Sequence, residues 1–191
     1  MSFYSRDELQ TLGLSQVGED VKISRTVSIY NPGQIKVGSH VRIDDFSVLS
    51  GGAGGIEIGD HVHVSVYCLL VGAGKITLSD FSGISSRVSV YSSNDDYSGK
   101  HLTNPTVPLQ FLGVTHGDVF LGKHVIVGAG AVVLPGLRLE EGVAVGSLSL
   151  VTRDCEAFGV YVGTPARRIR ERKRDLLELE KELRRQSRGD S

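Results

Sequence analysis

Aliphatic residues recur every six positions along most of this chain. That spacing matches neither the 3.6-residue period of a helix nor the two-residue period of a strand. Val17, Ile23 and Ile29 form a first triplet, followed by Val37, Ile43 and Leu49, then Ile58, Val64 and Leu70. Leu78, Ile84 and Val90 continue the series, as do Leu121, Val127 and Val133, and finally Leu139, Val145 and Val151. The first members of successive triplets lie 20, 21, 20, 43 and 18 residues apart. The underlying unit is therefore an 18-residue turn that carries short insertions and one long one. Four residues after most anchors stands a second small or β-branched residue, among them Val21, Val41, Ser47, Cys68 and Ala131. Gly18, Gly38, Gly59, Gly122, Gly128 and Gly146 directly follow anchors, as a crowded backbone position requires.

Three short strands per turn, joined by tight corners, predict a triangular prism whose coils stack at the ~4.8 Å spacing of paired strands. An α/β alternative needs amphipathic helices of 10–15 residues between strands, and no such segment precedes residue 166. The pattern thus predicts an all-β parallel solenoid over residues 17–165, with a capping segment at 1–16 and a C-terminal helix and tail at 166–191. Ser5 and Glu8 have the spacing of a capping box, predicting a short helix through about Thr11 that plugs the first coil. At the other end, Ile169, Leu176, Leu177, Leu179 and Leu183 amid many charges predict an amphipathic helix from about Ala166 to Gln186. Beyond it, "SRGD" reads as unstructured tail. The corner insertions "NPGQIK", "SGGAGGIE" and "GAGKIT" read as structural turns. The segment from Tyr91 to Asp118 adds about 25 residues to a coil and concentrates Asp, Asn, His, Tyr and Pro, marking it as a functional loop.

Composition narrows the partners. Lys plus Arg number 21 against 22 Asp plus Glu, which leaves no electrostatic footprint for nucleic acid or an anionic membrane. No basic leader and no run of ~18 apolar residues is present, so the expected setting is cytoplasmic. Cys68 and Cys155 lack metal or redox spacing and read as buried thiols. Among the histidines, His40, His61 and His124 each stand three residues after an anchor, a shared corner position that argues for surface turns. His63 precedes an anchor and faces outward, while His101 and His116 belong to the long insertion.

From about Val17 to Arg170 the chain resembles the hexapeptide-repeat acyltransferases, and from its middle onward the galactoside- and maltose-type O-acetyltransferases among them. The resemblance implies a left-handed parallel β-helix, a homotrimer with active sites between subunits, and acetyl-CoA as co-substrate. It also implies transfer of acetyl to a hydroxyl of a sugar or polysaccharide precursor. "VGAGAVVLPG", "VGSLSLVTRD" and "GTPARRIR" resemble the family's coenzyme A strip, which falls on Ala129, Ser147, Thr152, Arg153, Arg167 and Arg170. On the acceptor side the coil "HVHVSVYC" offers His63, Ser65 and Tyr67 as sugar contacts.

Acyl transfer needs a proton acceptor for the nucleophile and donors for the oxyanion. The loop that should carry the family's catalytic histidine reads "SSNDDYSGKH", with Asn94, Asp95 and Asp96 in its place. The base is then His116, the preferred choice because it closes the loop beside a rigid coil, or His101, with Asp95 or Asp96 orienting the ring; alternatively an aspartate is itself the base. An N-acetyltransferase on an amino sugar and a non-catalytic assembly scaffold remain as alternatives. The gamma-class carbonic anhydrases share this fold but need three imidazoles converging on zinc, and the regular corner spacing of the histidines here argues against any metal.

Overall fold

A computed structural model describes residues 2–188. The strands stack into three sheets of six, eight and six members, in which each strand of the coils pairs in parallel with its counterpart one coil away and only the last strand of the eight runs antiparallel. The sixfold spacing thereby becomes three vertical columns. Val17, Val37, Ile58, Leu78, Leu121 and Leu139 are register partners along the first. Ile23, Ile43, Val64, Ile84, Val127 and Val145 form the second, and Ile29, Leu49, Leu70, Val90, Val133 and Val151 the third. Apart from Val17 and Ile29 in the first coil, these anchors are buried. So are the second interior residues Val21, Val41, Ser47, Cys68 and Ala131. Each fully buried aliphatic side chain contributes about 1.5–3 kcal/mol, which makes the columns the main support of the fold. The register resumes unchanged across the long insertion, with Leu78 beside Leu121.

The corners are left-handed. His40, Phe46, His61, Tyr67, Phe81, Arg87, His124 and Leu148 all have φ between 56° and 61°, a region costly for side-chain-bearing residues. Hydrogen bonds between coils offset that cost: the amides of His61, Tyr67 and Arg87 donate to Ser39, Asp45 and Val66 on the preceding coil. Ring stacking adds to it, with His40 4.6 Å from His61, His61 4.6 Å from Phe81, and Phe81 5.2 Å from His124. The glycine after an anchor is sterically required, since a Cβ at Gly128 would lie 2.5 Å from the backbone nitrogen of Ser147.

Helix α1 (Arg6–Thr11) has the expected capping box at Ser5 and covers the first coil with buried Leu9. The C-terminal end departs from the sequence reading. A seventh, partial coil follows the sixth: Cys155 bridges to Leu139 and Tyr161 pairs with Val145. Neither residue is a branched aliphatic, so the six-residue ruler passed over them. Arg167–Glu171, placed in a helix by its amphipathic pattern, is instead an antiparallel strand against Gly159–Val162. That strand would otherwise end the sheet with unpaired backbone groups, and pairing outweighs helical propensity. Helix α2 begins only at Leu176 and runs to Arg188. It takes up Ser187 and Arg188 of the expected tail, while 189–191 lie outside the described residues. Both cysteines are free and buried, and burial pushes their thiols up to about 11 at Cys68 and about 12 at Cys155. Among the described residues no helix is long and apolar enough to cross a membrane.

Candidate active site

The long insertion leaves and re-enters the prism through a two-stranded antiparallel clasp, Ser93–Asn94 against Thr115–His116. Within the clasp, Nδ1 of His116 lies 2.8 Å from Oγ of Ser93, which also accepts the Ala73 amide at 2.7 Å. Asp96 organises the loop. It accepts the backbone amides of Ser98 at 2.7 Å and His101 at 2.9 Å, and its carboxylate lies 3.0 Å from Nδ1 of His101. Hydrogen bonds from Ser98, then from His101, hold the Asp96 carboxyl well below the usual carboxylate range. The His101 ring sits so close to Gly113 that a Cβ there would approach it to 2.4 Å. Asp96 thus orients His101 and not His116, whose partner is Ser93. Asp95 is exposed.

The second charged group lies on the outer face of the eight-stranded sheet. Residues flanking an anchor point outward, so Arg42 and Asp44 around Ile43 share that face with His63 and Ser65 around Val64. Nε2 of His63 lies 2.8 Å from one Asp44 oxygen, and Nε of Arg42 donates to the other at 2.7 Å. Only 5% of the Asp44 side chain is exposed. Burial by itself raises the Asp44 carboxyl, but the hydrogen bonds from His63 and Arg42 outweigh it and hold the carboxyl below its ordinary value. Oγ of Ser65 is 3.1 Å from Oγ of Ser86. Tyr67 stands at the adjoining corner, stacked 5.1 Å from Phe46 and beneath the Arg87 guanidinium. Sequence reasoning missed Arg42, Asp44 and Ser86. The outward alternation around Ile43 was the signal that contained Arg42 and Asp44; Ser86, two residues past Ile84, stands at the following turn and lies outside it.

Of the residues expected on the donor side, Ala129 and Ser147 form a strip with Ser86 above this face. The amide of Gly130 donates to the Ser86 carbonyl, and that of Leu148 to the Ala129 carbonyl, both at 2.9 Å. Ser86, Ala129 and Ser147 therefore follow one another coil by coil. Thr152 is half-buried and Arg153 exposed where the last complete coil ends. The four arginines after "GTP" divide by role. Arg168 pairs with Glu171, and Arg172 is tied to the carbonyls of His124 at 2.8 Å and Gly142 at 3.0 Å. Arg167 and Arg170 stay exposed on the edge strand. The corner histidines are structural, but His124 is no surface residue: helix α2 covers it, and Nε2 lies 2.7 Å from the buried Glu180. Among the described residues no three His, Cys, Asp or Glu side chains gather as a metal site.

No protein-family model matches the chain. A dTDP-4-amino-4,6-dideoxy-D-glucose acyltransferase of Escherichia coli is 50% identical over 191 residues, 100% of both chains. The crystal structure of AntD, an N-acyltransferase from Bacillus cereus in complex with dTDP and 3-hydroxybutyryl-CoA, superposes with a TM-score of 0.94 at 45% identity, covering 98% of each chain. A maltose O-acetyltransferase from Clostridium difficile 630, at 19% identity and a TM-score of 0.59 over 88% of this chain and 75% of its own, shares the fold. Prism, polar face and small-residue strip together are those of a solenoid transferase. With a relative this similar over its whole length, the chain belongs to the hexapeptide-repeat acyltransferase family and is an acyltransferase.

Proposed function

We propose that the protein transfers an acyl group from coenzyme A to the amino nitrogen of a nucleotide-linked 4-amino sugar, of the dTDP-4-amino-4,6-dideoxyglucose class. The observation that carries this reading is the 50% identity over the full length of an enzyme named for that acceptor. The sequence favoured a hydroxyl acceptor; the similar enzymes, among them the N-acyltransferase AntD, favour the amine. The loop chemistry agrees with the amine, because Asp95 and Asp96 replace the histidine expected there and carboxylates attract a cationic amino sugar. The co-substrate is an acyl-CoA. Its pantetheine arm runs along the small residues Ala129 and Ser147, past Thr152 and Arg153, and Arg167 and Arg170 meet its phosphates with charged donors.

His63, Ser65 and Tyr67 face the acceptor, and the loop bearing Asp95, Asp96, His101 and His116 closes over it. Donor strip and acceptor face both lie on the outer wall of the prism, which suits a cytoplasmic homotrimer whose neighbouring subunit supplies the facing wall. The test is thiol release from acetyl-CoA with dTDP-4-amino-4,6-dideoxyglucose and with the matching 4-hydroxy sugar, the products weighed by mass spectrometry. Acetylation of the amino sugar is expected; turnover confined to the hydroxy sugar refutes the amine acceptor.

A further inference from the structure

Along the outward row of the eight-stranded sheet, Arg42, His63, Gly83 and Ile126 are successive register partners. Gly83 differs from most glycines of this fold and, unlike Gly33, which shares its open surroundings, it lies on a strand. Its φ lies outside the left-handed region, and a Cβ built there would meet only the His63 carbonyl oxygen, at 3.9 Å. Neither backbone conformation nor a close neighbour requires glycine at this position. What the missing side chain provides is a bare stretch of backbone, one coil from His63 on one side and one coil from half-exposed Ile126 on the other. With coils ~4.8 Å apart, the two walls of this notch stand about 10 Å from each other. Ser65 and Ser86 border it, and the Ala129–Ser147 strip begins one coil beyond Ser86.

The ring on the polar wall is held for a task. Its Nε2 is committed to the Asp44 carboxylate, so in the neutral imidazole the proton sits on Nε2 and Nδ1 keeps its lone pair. Asp44 is in turn fixed by Arg42 and shielded from water, while 53% of the His63 side chain is exposed. A solvent-facing base oriented by a buried anion is the relation on which proton-transfer catalysis depends. The loop pairs Asp96–His101 and Ser93–His116 pin one ring nitrogen in the same way, but they are mounted on the insertion, whereas His63 stands on a strand of the scaffold.

We infer that His63 is a catalytic residue, taking the proton from the acceptor nitrogen, that Asp44 is its positioning residue, and that the Gly83 notch receives the reacting centre. The inference rests on the amino-sugar reading above. The bound ammonium first gives one proton to solvent; the amine lone pair so freed attacks the thioester carbonyl carbon and forms the C–N bond. The nitrogen passes one proton to Nδ1 of His63, the C–S bond breaks, and the departing sulfur takes the proton back from the imidazolium. The products are the amide and free coenzyme A.

The experiment compares His63→Gln, His101→Gln and His116→Gln in kcat and kcat/KM across pH 5.5–9 with acetyl-CoA and the amino sugar, alongside Gly83→Val. For His63→Gln, kcat falls about 10²–10³-fold with little change in either KM, the acidic limb of the profile disappears, and added imidazole restores part of the rate. The limb persists in the two loop variants. Gly83→Val keeps the wild-type melting temperature and raises the KM for the acceptor. Retention of the acidic limb in His63→Gln, or its loss in a loop variant only, overturns the assignment while leaving the amino-sugar reading intact. If the wild type acetylates only the hydroxy sugar, the acceptor reading fails, and the same series on that sugar decides the role of His63 separately.

Discussion

Helix α2 meets the prism through Glu180 and through Arg184, whose guanidinium lies 3.7 Å from Asp80, and the buried Glu180 carboxylate gathers the most partners. Glu180, 8% exposed, meets Lys123 Nζ at 2.6 Å, His124 Nε2 at 2.7 Å and Arg184 Nε at 2.6 Å. Glu180→Gln keeps the volume and removes the charge those three groups converge on. Breaking a fully buried pair costs about 3–5 kcal/mol. Here the Lys123 and Arg184 side chains are 35% and 45% exposed and regain water when released, which reduces the cost to about 2–3 kcal/mol. For a chain of this length that lowers the melting temperature by about 4–12 °C.

The pH dependence follows from the same geometry. Burial raises the Glu180 carboxyl, but the hydrogen bonds from Lys123, Arg184 and His124 overcome it and hold the group at about 2, against 4.5 in an unfolded chain. A depressed carboxylate stabilises the fold above its unfolded pKa and loses that contribution as pH falls toward its folded one. Thermal melts of wild type and variant, followed by circular dichroism, are therefore expected to differ fully at pH 7 and to converge between pH 4.5 and pH 2. Equal melting temperatures at pH 7, or a gap unchanged at pH 3, would refute this account of the helix attachment.

Leu121→Ala, in the middle of the first column, removes a fully buried side chain and should cost about 3–5 kcal/mol, read from denaturant unfolding. Gly128→Ala forces a Cβ to within 2.5 Å of the Ser147 backbone nitrogen, so calorimetry should show coenzyme A affinity falling along with stability. Asp96→Asn removes the anion that gathers Ser98 and His101, and limited proteolysis should then cut the insertion faster while the melting temperature of the prism hardly moves. Arg170→Ala, on the exposed edge strand, should raise the KM for acetyl-CoA several-fold and leave the acceptor KM unchanged; an unaltered donor KM would remove Arg170 from the phosphate site.

Anchors such as Ile58 and Leu121 were legible because a column of register partners leaves no freedom: each must fill the same interior slot as the residue one coil away. Corners were legible for a similar reason, since His40, His61 and His124 fall at one phase of the repeat. Phase says nothing, however, about what later covers a corner, so the burial of His124 under Glu180 was invisible. Cys155 and Tyr161 occupy core positions without being branched aliphatics, and the seventh coil went unseen with them. Arg167–Glu171 misled because the spacing of its neighbours suits a helix, while an unpaired strand edge, a feature of the tertiary structure alone, claims it. In the site, the residue types of the loop were visible but not their partners. Asp96 meets His101 and Ser93 meets His116 through loop geometry that no periodicity encodes. Asp44 was within reach, since the alternation that buries Ile43 turns it toward His63.

The return of the chain to register after the insertion, with Leu78 beside Leu121, separates two burdens. Tension along the solenoid axis passes from coil to coil through these pairs and bypasses the excursion, which hangs from the clasp at Ser93 and His116. Residues in the middle of the excursion can therefore be lengthened, shortened or exchanged among related chains, altering what is grasped, while the vertical stack keeps its pitch.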